Sequence, residues 1–126
     1  MSIFYKSLEG DKYISRNFQV KEFACKDGTD IVPIDMELVN VLQEARDHFA
    51  APITINSAYR SRAHNKAVGG VDGSQHMRGT AADIQIKGVA PEKVYAYFDE
   101  KYPNTYGVGK YPTFTHIDVR SARARW

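Results

Sequence analysis

An α+β domain is the fold class this sequence predicts, and three observations point to it. Helical and strand-like stretches are both present. They do not follow the regular βαβ alternation of a parallel sheet. The length, 126 residues with 43% apolar and 25% charged side chains, fits one soluble globular domain. The expected architecture is a compact single domain over residues 1–126, an antiparallel or mixed sheet packed with helices. A chain of this size buries roughly two-thirds of its unfolded surface without a disulfide staple. The single cysteine, Cys25, has no partner within the chain to make one with.

The elements follow in order. Residues 1–25 read as an irregular or short-strand lead-in, with 1–15 the irregular part. Phe18 and Val20 alternate with polar neighbours, Phe23 follows, and Lys26 to Asp30 is a turn cluster. Asp35, just after Pro33, reads as a helix N-cap. From Met36 to Phe49 the apolar residues Leu38, Val41, Leu42, Ala45 and Phe49 fall on one helical face, and Pro52 marks the stop. Ile53 to Asn56 alternates as a strand. Ser61 is placed to cap a short helix from Arg62 to Val68, which Gly69-Gly70 breaks. Asp72-Gly73 is a further turn. Ala81 to Ile86 reads as a strand with Ala82, Ile84 and Ile86 on one face and Asp83 and Gln85 on the other. Pro91 suits the first turn of a helix that runs to Tyr102 with Val94, Tyr95 and Phe98 inward. Gly107–Tyr111 and Phe114–Val119 read as the last strands. Ser121 to Trp126, with Arg123 and Arg125, reads as a solvated tail rather than a binding patch.

Bulk properties narrow the partners. A net charge of +2 is too small to argue for nucleic acid. No apolar run approaches the length of a membrane span. The N-terminal residues lack the basic segment and apolar stretch of a secretory signal, so the chain as given is expected to be cytoplasmic as synthesised. A monomer is expected.

Three polar segments lie beside the expected strands: Ser57 to Ser61, Ser74 to Asp83 and Thr115 to Arg120. Asp83 sits in an otherwise apolar strand, where a bare carboxylate is costly. Gly79 lets the chain fold back and bring His76 close, and a metal ion would satisfy both groups. The alternative is Asp83 bonded to backbone amides or to Arg60, with His76 exposed in a loop. In the third segment His116, Asp118 and Arg120 share one strand face while Ile117 and Val119 pack inward. His116 would complete a His-Asp-His set with an open fourth position. The alternative is a solvent-facing His–Asp–Arg charge ladder. Arg60 follows an apolar strand, and its guanidinium can clamp a carboxylate, either Asp83 or one on a substrate. His48 reads as a surface residue, His64 as structural or at the rim, and Cys25 as a small buried hydrophobe. Tyr59, Tyr106 and Tyr111 are mainly core candidates, and any of them could line a cleft.

Taken together the segments resemble the M15 peptidase family, the zinc D-Ala-D-Ala carboxypeptidases and related peptidoglycan endopeptidases. The match is Ser-x-His-x-x-Gly-x-Ala-x-Asp, kept at every fixed position from Ser74 to Asp83. Tyr59-Arg60-Ser61 matches the family's arginine motif upstream. His116-Ile117-Asp118 resembles the terminal histidine motif of the short bacterial and phage branch. Glu22 to Cys25 and the closing Arg125-Trp126 are similar to that branch, so the resemblance spans residues 15 to 126. It implies a compact fold of the hedgehog/DD-peptidase kind and one zinc ion held by His76, Asp83 and His116. It also implies that Arg60 binds or polarises the substrate near the scissile bond, with Ser74 close enough to bond it. Some branches end in Glu-x-x-His and others in His-x-His, whereas this chain has His-x-Asp and carries Thr113 three residues before His116. The base role is therefore assigned to Asp118 and the ligand role to His116. The reverse, Asp118 on the metal and His116 as acid or base, stays open.

The expected function is zinc-dependent hydrolysis of peptide bonds in cell-wall peptidoglycan, by a carboxypeptidase or an endopeptidase. The expected setting is a phage lysin that another protein releases, acting on the wall after release or export. The expected partners are peptidoglycan peptides, not nucleic acid or membrane. A zinc-containing module of the same fold that binds ligand or wall without catalysis is the alternative.

Overall fold

The computed structural model describes residues 1–126. The longest helix, Met36–Phe49, begins where the sequence places its cap: the Asp35 side chain accepts from the Glu37 amide at 2.9 Å. It ends because Ala50 turns into the left-handed region at φ 50°, ahead of Pro52. Leu38, Val39, Val41, Leu42 and Ala45 form its buried face.

That face lies on a five-stranded sheet. In chain order the elements are β1 (Ser2–Tyr5), α1 (Lys6–Glu9), β2 (Tyr13–Ser15), β3 (Phe18–Gln19), β4 (Ile31–Ile34), α2 (Met36–Phe49), β5 (Ile53–Ser57), α3 (Arg62–Ala67), β6 (Ala81–Ile86), α4 (Pro91–Lys101), β7 (Gly107–Lys110), β8 (Thr115–Asp118) and β9 (Ala124–Arg125). Short 3-10 turns occupy Val20–Phe23 and Gln75–Arg78. The main sheet runs β5-β6-β8-β7-β9, antiparallel except for the parallel β7–β9 pair. The fold is α+β with a mixed sheet.

Strand alternation then divides the chemistry. Ile84 and Ile117 face α2 and α4 and join Leu38, Leu42, Val94, Phe98 and Val108 in the core. Asp83, His116 and Asp118 point to the opposite face. No helix is long and apolar enough to cross a membrane.

Two expectations are corrected. Residues 1–15, read as the irregular part of an irregular or short-strand lead-in, contain the short strands β1 and β2 and the helix α1. β1 pairs antiparallel with β4, Ser2 opposite Ile34 and Tyr5 opposite Ile31. A pairing partner some thirty residues away leaves no local signature, so periodicity did not reveal the β1–β4 pair. The second correction is the tail. Ala124–Arg125 is a strand, and the Arg125 side chain is only 9% exposed. Its guanidinium donates to Asp99 Oδ1 at 2.7 Å and to the carbonyls of Tyr102 at 2.6 Å, Thr105 at 3.2 Å and Tyr106 at 2.7 Å. The end of α4 presents carbonyls without helical partners, and Arg125 supplies the donors.

Candidate metal centre and cleft

Register brings the polar segments together. β6 and β8 pair with Asp83 opposite His116. His76 arrives from the 3-10 turn Gln75–Arg78, whose start is capped by Ser74 Oγ accepting from the His76 amide at 3.2 Å. Gly79 ends the turn at φ 72°, and a Cβ there would strike the Pro33 carbonyl. The chain reverses and enters β6 two residues later.

The result is a buried His76, Asp83, His116 set with ligand atoms within 4.8 Å of one another. His76 is 3% exposed, so it does not lie in an open loop. Its Nδ1 lies 2.7 Å from the Ala58 carbonyl, an acceptor only, so this nitrogen carries the proton. Its Nε2 then faces Asp83 Oδ2 at 3.2 Å. His116 Nδ1 faces Asp83 Oδ1 at 2.9 Å, and His116 Nε2 faces Asp118 Oδ2 at 2.7 Å. Imidazole lone pairs turned toward carboxylate oxygens require a proton or a cation between them. The donor set therefore fits a divalent metal: two imidazoles and one carboxylate, each imidazole held by an oxygen on its far nitrogen.

Electrostatics agree with the geometry. Burial pushes the Asp83 carboxyl upward, but bonds from His116 and His76 outweigh it and hold the group well below the usual carboxylate range. Burial likewise opposes charge on His116, yet its bonds with Asp118 and Asp83 prevail and raise it. Asp118 is pushed up by burial and pulled further down by His116 and Arg120.

Arg60 reaches the set as expected. It bonds Ser57 Oγ through Nε at 3.2 Å, Asn65 Oδ1 through Nη1 at 3.3 Å and Asp83 Oδ2 through Nη2 at 3.4 Å. Ser74 lines the same cleft, and its oxygen is occupied by the cap while its proton is left to donate.

Asp118 is where the geometry departs from the sequence assignment. It is 0% exposed, and Arg120 forks onto it, Nε to Oδ1 at 2.8 Å and Nη2 to Oδ2 at 2.7 Å. The Arg120 amide also donates to Oδ1 at 3.2 Å, and Oδ2 faces His116 Nε2. Gly107 lies opposite it in β7, and any Cβ there would overlap the carboxylate. Asp118 is therefore turned to His116 and Arg120 and does not line the cleft. The reverse assignment fares no better, since Asp118 stands behind His116 rather than beside Asp83.

The cleft itself is about 360 Å³. Its lining includes the polar Arg60, Ser74 and Gln75 and the aromatic Tyr111, Phe114 and Trp126. Sequence reasoning allowed Tyr111 to line a cleft but missed Phe114 and Trp126. Tyr111, read as a core candidate, is 36% exposed and stacks on Phe114 at 4.5 Å between ring centroids. It also missed the Ala58 carbonyl and the buried Asn65, which carry no side-chain signature of a site. Cys25, Asp27 and His64 form a second close set. There Asp27 is already engaged by Thr29 and by Ser61 Oγ at 2.7 Å, so it ties the turn to the start of α3. His48 is exposed on α2 beside Tyr97.

A family model described as Peptidase M15 matches residues 13–118, which includes all three members of the buried set. No curated protein matches the chain.

Proposed function

The chain belongs to the M15 peptidases, a metal-dependent family, and on that premise we propose that it is a zinc peptidase that hydrolyses peptide bonds of bacterial cell-wall peptidoglycan. The observation that carries this reading is the buried His76, Asp83, His116 set with Arg60 beside it, opening onto a cleft of about 360 Å³. Two imidazoles and one carboxylate suit zinc over harder cations. Zinc in such a site supplies Lewis acidity and lowers the pKa of a water toward neutrality.

The chain's own residues do the rest. Hydrolysis adds water across the amide: oxygen bonds the carbonyl carbon, the C–N bond breaks, and the amine leaves with a proton. Arg60 lies where negative charge develops on the carbonyl oxygen, or where a terminal carboxylate would sit. Ser74 donates its free hydroxyl proton to the substrate backbone. Asp118 holds the Nε2–H of His116 so that Nδ1 is offered beside Asp83, and Arg120 holds Asp118.

One observation favours a second reading, a zinc-containing module that binds wall peptides without cutting them. Asp83 is the only carboxylate lining the cleft, which leaves no free carboxylate to act as base. One experiment separates the two: mass spectrometry of soluble products from purified peptidoglycan, with and without a zinc chelator. Chelator-sensitive release of defined peptides supports the peptidase and identifies the bond. No products from zinc-loaded protein would sink it and favour the binding module. The same products distinguish carboxypeptidase from endopeptidase, and lysis of cells from without tests the lysin setting.

A further inference from the structure

We propose that Trp126, seated by Gly109, is a positioning residue for the metal centre. The inference rests on the metal-site reading above, and it concerns residues beyond the 13–118 span that the family model matches.

β7 lacks a side chain at the position facing the metal ligand. Gly109 lies directly opposite His116 in the β7–β8 pair. An ordinary residue there would place a side chain beside the His116 ring. Instead the space is filled by the Trp126 indole, which a Cβ at Gly109 would approach to 2.6 Å. The indole centroid lies 5.0 Å from the His116 ring at an interplanar angle of 47°. On the same indole lies the Arg120 guanidinium, 5.3 Å from the ring centre, in cation–π range. Arg120 is the group that forks onto Asp118, and Asp118 holds His116 Nε2. Trp126 therefore touches both the ligand and the cation that fixes the ligand's carboxylate partner.

The indole is itself held from several sides. Its Nε1–H donates to the Tyr111 hydroxyl at 2.9 Å. Its backbone continues the β7 pairing, with Trp126 N to Val108 O at 3.1 Å and Lys110 N to Trp126 O at 2.8 Å. Arg125, one residue earlier, is anchored on the end of α4. The terminal strand thus works as a strap. Without the ring, His116 would gain freedom to rotate and Arg120 would be free to leave Asp118 for water.

The test is zinc affinity of the full chain, measured by chelator competition, alongside the melting temperature of the metal-free protein. Trp126→Ala and Trp126→Leu are expected to raise the zinc Kd about 10–100-fold, the usual cost of losing an outer-shell partner. Trp126→Phe keeps a flat ring on His116 and is expected to stay near wild type. Arg123→Ala lies on the same strap but bonds the Pro103 carbonyl, away from the centre, and is expected to leave the Kd unchanged. Leu and Phe both fill the seat, so they decide the matter if the Ala variant fails to fold. A wild-type Kd in the Leu variant would overturn the proposal, as would an equal loss in Arg123→Ala. Failure of the wild-type chain to take up zinc would overturn the metal reading, and this proposal with it.

Discussion

Both ring nitrogens of His116 face carboxylate oxygens, and we propose on that geometry that Asp118 orients His116 rather than accepting a proton from water. The two roles give different results. Asp118→Asn is expected to weaken zinc binding about 10–100-fold, because one of the two acceptor oxygens becomes an NH2 donor and the Arg120 fork cannot be kept together with the His116 bond. A base would show the opposite pattern: turnover lost with zinc affinity retained. Arg60 leads to a second residue-scale prediction. Its planar fork serves Ser57, Asn65 and Asp83 at once, which a lysine ammonium cannot reproduce. Arg60→Lys is expected to cost about 10²–10³ in kcat on a wall peptide, the scale of one lost oxyanion donor, with zinc still bound. Unchanged kcat would remove Arg60 from the chemistry.

Elements make the site by delivering these residues. The 3-10 turn Gln75–Arg78 is four residues long and carries His76, so its exit decides where the imidazole points. Gly79→Ala places a Cβ in the left-handed region and against Pro33, at a cost of about 1–3 kcal/mol. A urea titration should show that loss, and zinc affinity should fall with it. α2, β5, α3, β6 and α4 were legible because each carries local information: a cap at Asp35 or Ser61, alternation around Ile84, Pro91 at a first turn. β1, β4 and β9 were not, because each is short and is held by hydrogen bonds to a distant strand.

Across the whole molecule, α2 is tied to the segment that feeds β7. The Tyr106 hydroxyl bonds Glu37, while Tyr102 Oη reaches Glu44 at 3.4 Å. Burial first, and then the Glu37 carboxylate, push the Tyr106 hydroxyl up to about 12 from an ordinary 10.0. The neutral phenol is therefore favoured by folding. Its stabilisation is complete below pH 10 and is lost as pH rises from 10 toward 12. Urea midpoints at pH 8 and pH 11.5 should fall less between the two for Tyr106→Phe than for wild type. Equal falls would show that Tyr106 titrates as a free phenol.

The linear order of residues by itself determined the α+β class, the main helix and strand positions, and the identity of the buried His76, Asp83, His116 set. The first two rest on local periodicity and capping chemistry, and the set rests on the resemblance of its motifs to the M15 peptidases. Only the tertiary structure decided what Asp118, Tyr111, Arg125 and Trp126 do. Their roles depend on what lies opposite them across a sheet: glycines at 107 and 109 that leave room for a carboxylate and an indole, and carbonyls at the end of α4 that need a cation. Sequence patterns report which face a residue occupies, while the neighbour on that face comes from another part of the chain.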